Sequence, residues 1–279
     1  MAHHVIGSTL WSLALPDTVE SIEKVAELGY EAIQFTFRRQ EDLTPDGLAR
    51  IREALGRTGL KIPAGMIDFK GEDYSSIQAI RDTGGFLNPD DFPERLDRCQ
   101  AFSEAMADLG ITHVTTHVGF IPEPSDPSYG DFMDRLGQAV DAIHAFGHTV
   151  GFETGQESGE ALAKALDDLG RDFVSVNFDP ANFILYGSDD PVAAARVLAG
   201  RTSMAHMKDG TPSDKPGEVW GADVPLGQGN VDFVAVLKTL EKGGFTGALV
   251  VEREAGDNRI GDLAAARLFV EDVVKQLPE

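Results

Sequence analysis

Cysteine is nearly absent. The one thiol, Cys99, cannot close a disulfide within the chain, and no Cys-x-x-Cys or zinc-finger spacing occurs. A reducing compartment fits this usage, so a cytoplasmic protein is expected. Basic residues are also scarce: 24 Lys and Arg face 46 Asp and Glu, a formal net charge of −22. Such a field repels phosphate backbones and anionic membrane surfaces, which argues against nucleic acid and membranes as partners. No stretch of about 18 uncharged apolar residues is present, so no transmembrane helix is expected. The start, Met1-Ala2-His3-His4, lacks a Lys/Arg-rich segment, and the short apolar run to Leu15 lacks a clear small-residue cleavage site. That run reads as a first strand and not as a signal peptide.

What the chain does contain is ordinary globular material: 279 residues, 42% hydrophobic and 25% charged. This composition excludes disordered, collagenous and coiled-coil classes and leaves room for one α/β barrel or two smaller domains. Hydrophobic periodicity then alternates strand and helix along the whole chain. Strands are expected at 5–10, 32–36, 61–67, 112–117, 149–153, 173–179, 203–207 and 248–252. Helices are expected at 18–28, 45–58, 93–109, 129–146, 159–169, 191–198, 231–242 and 262–277. Thr44 is placed to cap the second helix, and Gly59 and Gly110 stand where helices should stop.

Eight consecutive βα units point to a closed (β/α)8 TIM barrel, one domain over residues 1–279, because buried parallel strands need a helical crossover each time. An open doubly wound sheet is the alternative. Against it, the first βα turn, Leu10-Trp11-Ser12-Leu13, lacks the Gly-x-Gly-x-x-Gly fingerprint, so no nucleotide cofactor is expected. The long non-helical insertions, 68–92 and 210–229, both follow strands and would line the barrel mouth, above strand interiors packed as apolar layers.

Four late strands end in a potential metal ligand: Glu153, Asp179, His206 and Glu252. Alone, each carboxylate reads as a helix cap or an ion-pair partner. Together at one rim, three carboxylates without a cation would repel one another and pay for desolvation. With the imidazole they make a mixed O3N site suited to one divalent metal ion, Mn2+, Mg2+, Co2+ or Zn2+, with positions open for substrate oxygens.

Phe152-Glu153-Thr154, Asn177-Phe178-Asp179-Pro180-Ala181-Asn182, His206-Met207-Lys208-Asp209, Gly227-Gln228-Gly229-Asn230-Val231-Asp232 and Val251-Glu252 appear in order, near successive late strands. In this the chain resembles the xylose isomerase-like barrels, which include D-tagatose 3-epimerase-type enzymes, hydroxypyruvate isomerase, inosose dehydratase and the endonuclease IV branch. The resemblance implies that Glu153, Asp179, His206 and Glu252 are a single-metal quartet. It also implies that Glu153 and Glu252 carry protons, a role that suits carboxylates flanking a C–H made acidic by a metal-held carbonyl.

Around them, His117 could donate to a substrate hydroxyl, whereas His113, at the far end of the same strand, should belong to the stability face. Lys208 and Asp209 could hold a sugar oxygen or a phosphate, and Asn182 and Gln156 offer amides to substrate. Trp11 and Trp220 could cover an apolar sugar face. Gly227 and Gly229 read as a tight turn, since no lysine beside them makes a phosphate loop. Two departures separate the chain from simple ketose 3-epimerases: Asn182 stands where they carry a histidine, and His206-Met207-Lys208-Asp209 looks closer to inosose-type members. Few histidines and the acidic charge set the endonuclease branch aside.

The expected function is a divalent-metal-dependent sugar or polyol isomerase or epimerase that moves a proton α to a carbonyl. An inosose-type dehydratase is the nearest alternative, and a non-catalytic carbohydrate-binding barrel is another. The partner is a small sugar or polyol, with a homo-oligomer possible.

Overall fold

The computed structural model describes residues His4–Leu277. Strands β1 (Ile6–Thr9), β2 (Ala32–Gln34), β3 (Gly65–Ile67), β4 (His113–Thr116), β5 (Thr149–Glu153), β6 (Val174–Phe178) and β7 (Thr202–Met207) are followed by a hairpin, β8 (Asp209–Thr211) and β9 (Ala222–Val224), and by β10 (Leu249–Val251). The helices are α1 (Thr18–Glu27), α2 (Pro45–Thr58), α3 (Ile77–Thr83), α4 (Phe92–Asp108), α5 (Tyr129–His144), α6 (Gly159–Leu169), α7 (Pro180–Tyr186), α8 (Pro191–Leu198), α9 (Phe233–Lys242) and α10 (Arg259–Val274).

All strands except the hairpin pair in parallel, in the order β2-β1-β10-β7-β6-β5-β4-β3. The two ends of this order meet: Phe35 N–H donates to Ala64 O at 3.0 Å and Met66 N–H to Phe35 O at 2.7 Å. A nearly closed eight-stranded TIM barrel results, a single domain, and the open-sheet alternative is set aside.

Local chemistry explains the elements. Thr44 accepts from Gly47 N–H and Pro45 opens α2, while Gly59, at φ 69°, ends it in the left-handed region. Helix faces bury Ile22, Val25, Ile51, Phe132, Leu136, Leu240 and Val270 against the outside of the barrel, so the main core lies between strands and helices.

Three features differ from the sequence expectation. The 68–92 insertion contains α3, and the 210–229 insertion contains β8 and β9. An extra short helix, α7, follows β6 because Asp179 caps its first turn. The barrel interior, expected to be apolar layers, is mixed: Ala64, Met204 and Val250 form a small apolar cluster, and polar contacts fill the rest. At its lower end Ser203 Oγ lies 3.0 Å from His113 Nε2 and 2.9 Å from Ser175 Oγ. Above these, Gln34 Nε2 donates to Thr115 Oγ1 at 2.8 Å. In each of these contacts the partner stands on another strand, which makes such an interior tolerable. His113 accordingly sits at the closed end, as expected, where burial pushes its pKa down to about 4.

Candidate metal centre

Glu153 ends β5, Asp179 directly follows β6, His206 lies in β7 and Glu252 directly follows β10. Barrel closure brings their ligand atoms within 4.8 Å of one another. His206 Nδ1 is 3.4 Å from Glu153 Oε1, 3.5 Å from Asp179 Oδ2 and 3.4 Å from Glu252 Oε2. All four residues are buried, the most exposed at 4%.

Two atoms at this focus, His206 Nδ1 and Asp179 Oδ2, are buried without a hydrogen-bond partner. Asp179 divides its oxygens: Oδ1 accepts from Ala181 N–H at 2.8 Å and Asn182 N–H at 3.0 Å, leaving Oδ2 for the centre. The helix-cap reading and the ligand reading of this residue are therefore both satisfied. His206 Nε2 lies 2.7 Å from Gln34 Oε1. Asn177 Nδ2 also approaches Nε2, at 3.1 Å, but the shorter contact is to an oxygen that can only accept, and a proton on Nε2 leaves Nδ1 as the atom that faces the carboxylates. Orphaned inward-facing donors of this kind fit a divalent ion.

The electrostatics agree. Burial opposes a charge on His206, but Glu153 and Glu252 outweigh it and hold the imidazole well above its ordinary pKa. Without a cation the carboxylates draw a proton to Nδ1, the atom a metal would occupy. Burial pushes Asp179 up, while Lys208 and His206 overcome burial at Glu252 and hold it well below the usual carboxylate range.

A second ring of residues holds the ligands. Lys208 Nζ donates to Glu252 Oε2 at 2.9 Å and Asn182 Oδ1 at 3.3 Å, and also pairs with Glu254. Trp11 Nε1 donates to Glu252 Oε1 at 2.7 Å. Glu153 accepts from Asn182 Nδ2 at 3.2 Å and from Asn177 Nδ2 at 3.3 Å, and His117 Nε2 stands 3.6 Å from its Oε2. Gly155, at φ 139°, lets the loop after β5 close on Asn182, since a Cβ there would lie 2.2 Å from Asn182 Cβ.

The quartet thus meets in space, with Lys208, Asn182 and His117 around it. Gln156 does not join them: its Nε2 turns to the Tyr186 hydroxyl at 3.4 Å, and it borders a separate outer cleft with Glu157. Asp209, expected to be able to hold a sugar oxygen or a phosphate, is instead consumed by the backbone. Its carboxylate accepts from Gly210 and Gly227 N–H at 2.9 Å, Gly229 at 2.8 Å and Val231 at 3.2 Å. Gly229 must lack a side chain, because a Cβ would lie 2.1 Å from Asp209 Oδ1. The Gly227–Gly229 segment is the turn it was expected to be.

Sequence reasoning missed Gln34, Glu254 and Tyr74. Gln34 is the one polar residue in the run Ala32-Ile33-Gln34-Phe35, a signal that was available. Two clefts open above the cluster, of about 230 Å3 and about 300 Å3, and both are bordered by Tyr74, His117 and Glu254.

Residues 22–272 match the family model described as xylose isomerase-like TIM barrel. A xylose isomerase domain protein from Planctomyces limnophilus superposes with a TM-score of 0.87 at 29% identity, over 92% of this chain and 93% of that one. A xylose isomerase-like TIM barrel protein from Mycobacterium smegmatis, solved in complex with magnesium, gives 0.73 at 16% identity over 98% and 97%. SgbU of Escherichia coli K12, provisionally assigned as an L-ribulose-5-phosphate 3-epimerase, is 32% identical over 107 residues, which span 37% of this chain and 36% of that relative. Among the described residues, no helix is long and apolar enough to cross a membrane.

Proposed function

Because this chain belongs to the xylose isomerase-like TIM barrel family, we propose that it is a sugar or polyol isomerase or epimerase that depends on one divalent metal ion held by Glu153, Asp179, His206 and Glu252. The observation that carries this reading is the orphaned Nδ1 of His206, facing three carboxylate oxygens at 3.4–3.5 Å with its tautomer set by Gln34. When bound there, the ion would polarise a substrate carbonyl and stabilise the charge of the enediolate formed beside it.

The protein's own groups supply the remaining chemistry. Glu153 and Glu252 come from β5 and β10, which are separated in the barrel by β6 and β7, so their carboxylates approach a bound carbon from different sides. One removes the proton α to the carbonyl and either returns it: delivery to the former carbonyl carbon, with a proton passing between the two oxygens, gives isomerisation, and delivery to the opposite face of the original carbon gives inversion. Lys208 and Trp11 fix the orientation of Glu252, as Asn177 and Asn182 fix that of Glu153. His117, which borders both clefts, would donate to a substrate hydroxyl. Burial opposes its protonation, but the surrounding glutamates, Glu153 foremost, raise its pKa above the ordinary value.

The test combines metal analysis with isotope exchange. Protein purified without chelators should carry close to one divalent ion per chain, and incubation with ketoses in heavy water should place deuterium at the α carbon of the product. An absence of bound ion together with no response to added Mn2+ would overturn the metal reading. Loss of water from an inosose without isomerisation would move the protein to the dehydratases.

A further inference from the structure

The two clefts share Tyr74, His117 and Glu254 and otherwise have different linings. The smaller is floored by Glu252 and Trp11 and runs toward Met66 and Phe69. The larger passes Asn182 and Lys208 and ends against Tyr186 and Trp220. A monosaccharide held beside Glu252 would fill the smaller cleft, which leaves the larger without an assigned occupant.

The wall of the larger cleft comes from both long insertions. Tyr74 belongs to the segment between β3 and α4, and Trp220 to the segment between β8 and β9. Tyr186 and Trp220 meet edge to face, with ring centroids 4.6 Å apart at 61°, and Phe120 backs Tyr186 at 5.7 Å. Ile77 and Ile80 of α3 complete this group, which is a hydrophobic cluster separate from the main core. Its burial does not serve barrel closure; it holds an aromatic wall rigid beside the site. Tyr74 is 47% exposed, and Glu254, its side chain 52% exposed, borders both clefts.

Aromatic faces next to carboxylate and amide groups match one class of ligand, a neutral sugar ring, whose C–H face lies on the rings while its hydroxyls donate to the acceptors. A phosphate would instead face Glu254 and Asp223, with Lys208 already paired to Glu252 and Glu254. Resting on the isomerase reading above, we propose that the larger cleft is a glycosyl subsite, so that the substrate is a keto-sugar carrying a second, neutral sugar ring.

Binding tests this separately from turnover. In metal-loaded protein, dissociation constants are measured by calorimetry for fructose and for maltulose and isomaltulose, in which glucose is joined to fructose. At least one disaccharide should bind about tenfold more tightly than fructose; Trp220→Ala should abolish that preference and Trp220→Phe should keep most of it. Equal affinities in the wild type, or a preference unchanged in Trp220→Ala, overturn the subsite. Deuterium exchange into the same sugars reports on the isomerase reading alone, so either conclusion can fail while the other stands.

Discussion

Gln34 Oε1 lies 2.7 Å from His206 Nε2, and this contact decides which face of the imidazole meets the carboxylates. It reaches across the barrel, since β1 and β10 stand between β2 and β7. Replacing Gln34 by Leu removes the acceptor and frees the ring to take the other tautomer. Metal affinity should fall about 10–100-fold, read by competition with a chelator, while the fold persists. Unchanged affinity would show that Gln34 does not orient the ligand.

Stability should track the metal. A ligand present at a hundredfold excess over its dissociation constant adds about 2.7 kcal/mol. Stripping the protein with EDTA should therefore lower the melting temperature by several degrees, and Mn2+ should restore it. Asp179→Asn, which keeps a cap acceptor but removes the charge, should blunt that response more than it lowers the melting point of the stripped protein.

Glu153→Gln and Glu252→Gln preserve shape and remove the base. In either variant kcat should fall by about 10²–10⁴-fold, measured by deuterium exchange at saturating Mn2+. Wild-type turnover in one of them would remove that residue from proton transfer.

Glu157 provides a pH test away from the centre. Its Oε2 is buried without a partner, and burial pushes its carboxyl up from 4.5 to about 8. The folded state thus holds a proton that the unfolded state releases, and stability from this group declines as pH rises from 4.5 to about 8. Glu157→Gln should flatten that slope and stabilise the protein at pH 8 by about 1–3 kcal/mol, followed by denaturant titration at several pH values.

Asp209 should matter for stability. Removing a carboxylate that accepts from four backbone N–H groups leaves those donors unpaired. Asp209→Ala should cost about 3 kcal/mol or more in denaturant unfolding, with Asp209→Asn milder.

Much of this was legible in the chain. Each of Glu153, Asp179, His206 and Glu252 stands at or beside the carboxyl end of an apolar strand, and the eight βα alternations imply a barrel whose strand ends converge. Glu254 was harder to see because its importance depends on Lys208, 46 residues away. Asp209 was misread because its neighbour Lys208 does face the site, and only the closure of the 210–229 segment over Asp209 shows where its oxygens go. The polar part of the interior escaped as well: Thr115, Ser175 and Ser203 are small residues in β-branched or mixed runs, unremarkable until their cross-strand partners are known.

Cysteine scarcity, the excess of acid and the βα rhythm are local or summed properties, and the rhythm was enough for the fold class and for singling out the four strand-end residues that converge in one cluster. The imidazole tautomer, the two unpartnered atoms and the aromatic wall beside the cluster came only from tertiary structure. These arise from contacts between residues as far apart as 172 positions, Gln34 and His206. Chain order carries little of that information, because which side chains meet across a barrel depends on closure and register, and a register slip of one residue would turn each of them to the other face.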